Sequence, residues 1–399
     1  MRIALVSQEY PPETAKGGIG SQTYAKAHGL VARGHEVHVI SRSPDRTRRE
    51  YRDEQVWVTR IAGFCDRLPV HTLPADWLTY SAAVAAEVAG LHARRPLDIV
   101  DFPEWGGEGY VHLLNRTPWN SIPSVVQIHG PMILFAHTIG WPEQDTDIYR
   151  VGIEMEGTCL RQADAVFSSS AYSRDWCVRH YGLDPGRIPV LHTGVDTRVF
   201  YPRPVSKEAR PTIVFAGRIT RNKGVDILVE AACRLGKEFP MLRLRLLGKG
   251  CDDLLRDLRA CAVHHGLPDI LELPGFVHRS ELPEQLSRAH VFAGPSRCEG
   301  GPGLACLEAM ACGLPVVVTE GTGVAEVVVP GETGLLVPPG DVDALARGLR
   351  SLLSDSPTCA AMGRRARDYA REQGDSQGCL DRIEAFYATV ADTSGREER

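Results

Sequence analysis

The fold of this chain is decided by residues 291–319, which read VFAGPSRCEGGPGLACLEAMACGLPVVVT. Continuous apolar runs at 291–293 and 316–319 predict strands, because such runs are typical of strands covered on both faces. Between them lie a glycine-rich loop and a helix-length segment that ends at Gly313, a residue that tolerates the left-handed conformation of a helix end. The stretch therefore predicts a strand–loop–helix–strand unit of a parallel α/β sheet.

The same alternation of short apolar runs and helix-length segments occurs along the whole chain, in two series. Strands that alternate with helices favour parallel sheets with right-handed crossovers. The sequence therefore predicts an α/β protein with two doubly wound, Rossmann-like domains that share an architecture but no sequence identity. The predicted strands are 3–7, 36–41, 56–62, 98–102, 125–129, 165–169 and 188–192, then 213–217, 242–247, 270–273, 291–293, 316–319 and 335–337.

The length of the chain also predicts two domains, since 399 residues exceed what one hydrophobic core holds, roughly 250–300 residues. Three prolines between positions 200 and 211 mark a linker. We expect an N-terminal domain at 1–195, a linker at 196–211 and a C-terminal domain at 212–375. Residues 376–399 are expected to form an amphipathic helix that packs back on the N-terminal domain, followed by a frayed tail.

Composition excludes several classes of protein. A net charge of −5 gives no reason to expect nucleic-acid binding. Eleven cysteines without a Cys-x-x-Cys pair indicate reduced thiols and a cytoplasmic location, with no structural zinc. No signal sequence is expected, because the apolar run near Met1 is only four residues long. No membrane-spanning helix is expected either, since no apolar run approaches about 18 residues, while peripheral membrane contact stays open. The charged stretch 42–52 is interpreted as a solvated loop.

The strand-to-helix turns of the second series carry the residues with the clearest chemistry. Arg218 and Lys223 follow the strand at 213–217 and suit phosphate oxygens. A pair of exposed cations on a surface loop would give the same sequence pattern. Glu299 lies in the glycine-rich loop, and Glu308 is placed to accept two ribose hydroxyls or, alternatively, to complement the helix dipole. Asp341 and Asp343 resemble a metal pair but are better explained as a helix N-cap and a first-turn acid.

The first series offers two weaker candidates. Gly17, Gly18 and Gly20 precede a helix, where backbone amides bind anions, although a plain flexible turn explains them equally well. His129 ends a predicted strand, a position at which histidine is more often structural than catalytic. Both turns are expected at the carboxyl edge of the first sheet.

Together these turns resemble glycosyltransferase family 4, a retaining family with the GT-B fold of two Rossmann-like domains facing a central cleft. The resemblance covers nearly the whole chain. Its most specific part runs from Ser296 through Glu299, Gly303 and Glu308 to Val317. The resemblance also includes the loop 17–20, His129, the 217–224 block and Gly275-Phe-Val.

The resemblance implies a role for each matching residue. Arg218 and Lys223 would bind the donor diphosphate, together with Gly17, Gly18 and Gly20 and the amides of Gly303 and Leu304. Glu308 would bind the ribose, and Val277 and His278 would contact the base. His129, Glu299, Gly300 and Gly301 would contact the transferred sugar. The catalytic residues would then be His129, Glu299, Arg218 and Lys223.

In one respect the chain departs from the family pattern. Eight residues separate Glu299 from Glu308, where the family has seven. The additional residue lies before the helix, so Glu308 stays in register, whereas the placement of Glu299 depends on how the longer loop folds.

The resemblance implies hexosyl transfer from a nucleotide-diphosphate sugar, a UDP-sugar above all, to a glycan, lipid-linked or small-molecule hydroxyl. No further cofactor and no metal are expected, because paired cations and helix amides stabilise a phosphate leaving group. The alternatives are a nucleotide-sugar epimerase or hydrolase of the same fold, and a non-enzymatic two-lobed binding protein. The acidic, aromatic region 101–108 with Trp141, Glu143, Asp145 and Asp147 is either an acceptor surface or a set of solvated loop acids.

Overall fold

The structure, a computed structural model, describes residues 1–14, 18–62, 70–117 and 121–397. The chain forms two compact units, which are described separately: unit 1 comprises Met1–Thr193 and Gln377–Arg399, and unit 2 comprises Gly194–Ser376. The segment 196–211, predicted as a linker, lies within unit 2. There Phe200 is fully buried and packs in the same apolar cluster as Val214 and Met310.

Unit 1 is built on a seven-stranded sheet of order β3-β4-β2-β1-β5-β6-β7. All pairings are parallel except β3 with β4. The strands are β1 Arg2–Val6, β2 Glu36–Arg42, β3 Arg49–Asp53, β4 Val56–Ile61, β5 Ile99–Pro103, β6 Ser124–Ile128 and β7 Ala165–Ser168. The helices are α1 Gly18–Ala32, α2 Leu73–Arg94, α3 Tyr110–Leu114, α4 Met132–Ile139, α5 Asp147–Gln162, α6 Ala171–Tyr181 and, from the chain end, α13 Ser376–Glu397.

The solvated loop predicted at 42–52 is wrong over its second half, which forms the edge strand β3. This strand pairs antiparallel with β4, with Tyr51 opposite Val58. Its exposed and half-buried residues alternate, so charged side chains occupy the face that water reaches. Edge strands commonly carry such charges, which hide the period-two pattern from a reading based on apolar runs.

The strand predicted at 188–192 is also wrong. Within the described residues this segment forms one isolated parallel bridge, between Ser168 and Val190. The Ser168 amide donates to the Pro189 carbonyl and the Leu191 amide donates to the Ser168 carbonyl. Because Pro189 has no amide proton of its own, it cannot contribute a donor to extend the ladder.

Unit 2 contains a six-stranded, all-parallel sheet of order β10-β9-β8-β11-β12-β13. Strands β8 and β11 are neighbours at the centre of this sheet. The turns that follow them therefore lie side by side at the carboxyl edge of the sheet. The strands are β8 Thr212–Ala216, β9 Arg243–Leu247, β10 Leu271–Gly275, β11 Val291–Gly294, β12 Val316–Thr319 and β13 Gly334–Val337. The helices are α7 Val225–Gly236, α8 Asp252–His264, α9 Leu282–Arg288, α10 Leu304–Ala311, α11 Val342–Ser354 and α12 Ser356–Glu372.

Helix α13 returns the chain to unit 1 after unit 2 is complete. Its residues Leu380, Ile383 and Tyr387 are buried in one cluster with Ile3 and Leu30. The Tyr387 hydroxyl donates to the carboxylate of Asp101, at the middle of β5. Among the described helices, none is both long and apolar enough to cross a membrane.

Candidate functional site

The turns after β8 and β11 in unit 2 are packed against each other by backbone contacts. The Arg297 amide donates to the Asn222 carbonyl at 2.7 Å. A Cβ atom on Gly224 would lie 1.9 Å from the Pro295 carbonyl oxygen, so only glycine fits at this position. Gly224 also has φ +68°, in the left-handed region. This packing brings residue 223 of one turn beside the loop that begins at residue 295 of the other.

Lys223 and Glu299 form an ion pair at this junction. The ammonium group of Lys223 donates to Oε2 of Glu299, and the Ser296 hydroxyl lies 3.4 Å from the same oxygen. About a fifth of each side chain is exposed, 22% for Lys223 and 21% for Glu299. The pair is therefore within reach of a ligand, and an incoming phosphate would compete with Glu299 for the Lys223 charge.

Arg218 follows β8 directly and is exposed. Its side chain forms no hydrogen bond or ion pair within the part of the chain that the structure describes. A guanidinium group offers five donors in a planar fork that matches phosphate oxygens. Arg218 is thus available as a second cation at the same sheet edge as Lys223.

The glycine-rich loop that precedes α10 is fixed by the first residue of the short helix Gly323–Val327. The Gly323 amide donates to the Glu299 carbonyl at 2.8 Å, and a Cβ on Gly323 would lie 2.2 Å from the Gly300 carbonyl oxygen. Gly303 has φ +65° and directly precedes Leu304, the first residue of α10. With its additional residue, the loop still allows Glu299 to pair with Lys223 and places Gly303 at the start of α10. Gly300 is buried and Gly301 is half-buried.

Glu308, in α10, is buried and paired with Arg279, a residue that the sequence did not single out. Arg279 Nη1 donates to Glu308 Oε1 at 2.9 Å, and 10% of the Glu308 side chain is exposed. Burial raises the pKa of Glu308 to about 7, against the opposing effect of the Arg279 charge. Glu308 lies in the second turn of α10 and is paired with a side chain, so the helix dipole alone does not explain it.

The segment after β10 contains the residues predicted to contact a base. Phe276 is 66% exposed, and Lys249 Nζ lies 5.7 Å from the centre of its ring. Val277 packs against the core cluster of unit 2, while His278 is exposed with Nδ1 2.8 Å from the Ser280 hydroxyl. An exposed aromatic ring at a sheet edge can stack on a nucleobase.

In unit 1, the predicted glycine loop is described only in part. Gly17 lies outside the described residues. Gly18 is exposed at the start of α1, and a Cβ there would meet no atom within 4 Å. A Cβ on Gly20 would lie 2.8 Å from Glu9 Cβ, so glycine at 20 lets α1 approach the turn after β1.

His129 is buried at the end of β6. Its Nδ1 lies 3.1 Å from Gln22 Oε1, an oxygen that also accepts from the Thr193 hydroxyl at 2.9 Å. Burial lowers the pKa of His129 to about 3, and the Lys26 charge acts in the same direction. The imidazole is therefore neutral, and with Nδ1 donating to Gln22 its Nε2 is a hydrogen-bond acceptor.

Glu104 and Glu108, which follow β5, are buried rather than solvated. Glu104 Oε1 accepts from the amides of His129 at 2.8 Å and Gly130 at 2.6 Å, and Glu108 Oε1 accepts from the Gln8 amide at 3.1 Å. The other oxygen of each carboxyl and Gln8 Nε2 have no hydrogen-bond partner among the described residues. Burial raises the pKa of Glu104 to about 7 and that of Glu108 to about 8.

An aromatic pair lies beside these carboxyls. Trp105 stacks on Trp141 with ring centres 6.0 Å apart, and Trp141 is 47% exposed. The acids after Trp141, at 143, 145 and 147, are exposed. Asp147 begins helix α5. The interpretation as solvated loop acids is wrong for Glu104 and Glu108, and for the three exposed acids both alternatives stay open.

Asp341 and Asp343 are placed as the sequence analysis expected. Asp341 accepts from the Ala344 amide at 2.8 Å as the N-cap of α11, and Asp343 pairs with Arg234.

Known proteins resemble this chain along nearly its whole length. A family model described as Glycosyltransferase Family 4 matches residues 16–199, and one described as Glycosyl transferases group 1 matches residues 199–369. The GDP-mannose-dependent alpha-(1-6)-phosphatidylinositol monomannoside mannosyltransferase of Mycolicibacterium smegmatis is 30% identical over 387 residues, 92% of this chain and 93% of that protein. The D-inositol 3-phosphate glycosyltransferase of Arthrobacter sp. strain FB24 is 30% identical over 98% of this chain and 95% of its own length. Among solved structures, sucrose-phosphate synthase from Thermosynechococcus elongatus superposes with a TM-score of 0.83, at 22% identity, over 98% of this chain and 99% of that one.

Proposed function

Since this chain belongs to glycosyltransferase family 4 and is a glycosyltransferase of the GT-B fold, we propose that unit 2 binds a nucleoside-diphosphate hexose. The observation that carries this proposal is the sheet edge where Arg218 has no side-chain partner among the described residues and where Lys223, paired with Glu299, is partly exposed. We further propose that the hexosyl unit moves to a hydroxyl acceptor with retention of its anomeric configuration.

The two cations support binding of the donor diphosphate. Arg218 would bind phosphate oxygens through its fork, and Lys223 would leave Glu299 to bind the β-phosphate. The amides at the start of α10, from Gly303 and Leu304, would add donors to the same anion. Preorganised charges of this kind stabilise a departing phosphate, so we expect transfer without a divalent metal.

We propose that Glu299, once released from Lys223, accepts a hydrogen bond from a hydroxyl of the transferred sugar. The bond between the anomeric carbon and the phosphate oxygen breaks, and a bond to the acceptor oxygen forms on the same face. The acceptor proton passes to the departing phosphate oxygen. The products are the glycosylated acceptor and a nucleoside diphosphate, and no covalent enzyme intermediate is required.

Glu308 and the exposed ring of Phe276 support recognition of the nucleoside. An ionised Glu308 can accept from two ribose hydroxyls, with Arg279 balancing its charge. The identity of the donor base follows from different observations. The family resemblance favours a UDP-sugar, whereas the M. smegmatis relative is named for GDP-mannose, so both donors belong in the test.

For the acceptor, we propose a polyhydroxylated molecule bound by unit 1. The unpartnered oxygens of Glu104 and Glu108 and the Gln8 amide supply hydrogen-bonding capacity that acceptor hydroxyls would satisfy. The stacked Trp105 and Trp141 offer an apolar face of the kind that packs against a sugar ring. The neutral His129 would accept a hydrogen bond from a sugar hydroxyl.

A thermal-shift panel of UDP-, GDP- and ADP-hexoses on the full chain tests the donor. We expect one nucleotide class to raise the unfolding temperature of the wild type, and to do so much less in Arg218→Ala. Arg347→Ala, which removes a cation from α11, is the matched control and should respond like the wild type. If Arg218→Ala responds as strongly as this control, the diphosphate assignment is wrong.

Product analysis then separates transfer from the alternative activities. With donor alone, a transferase releases little free sugar and leaves the hexose unchanged. An epimerase would change the hexose, and a hydrolase would release it at full rate without acceptor. The anomeric configuration of the product, read by nuclear magnetic resonance, decides whether transfer retains it.

A further inference from the structure

Two helices of unit 2 bring three metal-ligand side chains together and place a fourth, a buried cysteine, beside them. Glu230 and Cys233 lie on α7, Cys261 lies on α8, and His265 is the residue after α8. Glu230 Oε2 is 2.9 Å from His265 Nε2 and 3.5 Å from Cys261 Sγ. These three donor atoms all lie within 4.8 Å of one another. The buried Cys233 thiol lies beside Cys261, and it would have to move toward Glu230 and His265 to share a metal with them.

The spacing of these residues explains why they meet. Glu230 and Cys233 are three apart on α7, and Cys261 and His265 are four apart at the end of α8. Both spacings place two side chains on one helix face. The helices pack through the largest apolar cluster of unit 2, which includes Cys233, Leu258 and Ala262. Sequence inspection missed the set because each helix contributes only two ligands.

Glu230 is also oriented for this role by a neighbouring cation. Arg234 Nε donates to Glu230 Oε1 at 2.9 Å, which leaves Oε2 toward Cys261 and His265. Partners of this kind fix the orientation of a metal ligand and are common around metal centres. A simple ion pair between Glu230 and His265 would explain two of the four residues but neither thiol.

The chemistry of the four side chains indicates which metal they would bind. Two sulfurs, one imidazole and one carboxylate suit zinc, whereas Mg²⁺ and Ca²⁺ take oxygen ligands. Tetrahedral zinc holds its ligand atoms roughly 3.4 Å apart, given metal–ligand lengths of about 2.0–2.3 Å. The separations of 2.9 and 3.5 Å are close to that value. We propose that Glu230, Cys261 and His265, joined by Cys233 when the metal binds, form a structural zinc site that connects α7 to α8.

Zinc binding would change the protonation of both cysteines. Burial raises the pKa of Cys233 to about 12 and raises that of Cys261 as well. Both are therefore thiols at neutral pH, and each would release its proton to solvent on binding the metal. The site takes the sixth and ninth residues of α7, Glu230 and Cys233, whereas Lys223 precedes the helix start at Val225. It is thus independent of the proposed donor site, and its role would be stability.

Metal binding by the full-length protein is the first test. After treatment with a chelator and a reductant, the chain should take up one zinc ion and unfold at a higher temperature. Cobalt(II) should give the intense near-ultraviolet charge-transfer band of a metal thiolate. Zinc should also protect two thiols from alkylation. Absence of the cobalt band, or of thiol protection, would overturn the proposal without any variant.

Variants then identify the ligands. Cys261→Ser and His265→Ala should each weaken zinc binding at least about tenfold. The matched controls are Cys251→Ser and His264→Ala, which change exposed neighbours of the same type. Equal zinc affinity in ligand variants and controls would show that the metal binds elsewhere and overturn the site. A disulfide between Cys233 and Cys261 that persists under the reducing conditions would overturn it as well.

Discussion

In unit 2 the carboxylates of Glu299 and Glu308 each face a cation, Lys223 and Arg279, whereas in unit 1 Glu104 and Glu108 are held by backbone amides. A carboxylate paired with a cation can exchange that cation for a ligand phosphate and remain ionised. A buried carboxyl without such a pair avoids its desolvation cost by binding a proton. Burial raises the pKa of Glu308 and of Glu104 alike to about 7, so the two units differ in what holds their carboxyls, a cation in unit 2 and backbone amides in unit 1. This difference fits the proposal that unit 2 binds a charged ligand and unit 1 binds neutral hydroxyls.

The largest effect is expected when the cation in unit 2 is removed. Lys223→Ala should lower kcat on the order of a hundredfold, because the departing phosphate loses a preorganised charge. The unfolding temperature should change little, since Lys223 is at the surface edge of the site. Steady-state kinetics with Lys237→Ala, an exposed lysine at the other end of α7, provides the control. Turnover equal to that control would break the assignment of unit 2 to the diphosphate.

A smaller effect is expected from Glu308→Gln, which keeps the shape of the side chain and removes its charge. The donor KM should rise about tenfold, as expected for loss of charge-assisted hydrogen bonds to the ribose. Because the pKa of Glu308 is raised to about 7, the wild-type donor KM should also rise as the pH falls below 7. Glu320→Gln, at an exposed position of unit 2, serves as the control. A donor KM that does not depend on pH in the wild type would contradict the ribose assignment.

The sequence predicted the secondary structure best where strands are buried on both faces. In unit 2 the runs at 291–293 and 316–319 became β11 and β12, because no polar alternation interrupts them. The prediction was wrong at β3, because this edge strand carries charged residues in place of an apolar run. It was also wrong at 188–192, where Pro189 ends the pairing.

The candidate site was predictable where residues adjacent in sequence form it. Lys223 and Glu299 were singled out, but their pairing depends on the close approach of Gly224 to Pro295. Arg279 and the buried state of Glu104 could not be read from the sequence. Both depend on contacts between residues more than 20 positions apart, such as Arg279 with Glu308 and Glu104 with His129.

Protonation of the unit 1 carboxyls predicts an effect on stability. Glu104 and Glu108 have folded-state pKa values of about 7 and 8, above those of an unfolded chain. At these two carboxyls the folded state therefore binds more protons, and their contribution to the free energy of unfolding should fall as pH rises from about 5 to 8. Glu108→Gln should flatten this fall by about 1 kcal/mol or more, a few degrees in unfolding temperature.

Denaturant titrations at pH 5.5 and 8 measure the slope for the wild type, for Glu108→Gln and for the exposed control Glu143→Gln. The control should keep the wild-type slope. If Glu108→Gln keeps the wild-type slope, Glu108 gains no proton on folding, and the contrast between the two units fails.

The smallest effects should come from one exposed aromatic side chain in each unit, Phe276 in unit 2 and Trp141 in unit 1. Each ring offers one face to a ligand, and such stacking contributes about 0.5–1.5 kcal/mol. Phe276→Ala should raise the donor KM about threefold and leave the acceptor KM unchanged, and Trp141→Ala should do the reverse. Each variant is the control for the other, since both remove a half-exposed ring at the surface. If Trp141→Ala raises the donor KM instead, unit 1 binds part of the donor. Glu104 and Glu108 would then bind hydroxyls of the donor sugar and not those of the acceptor.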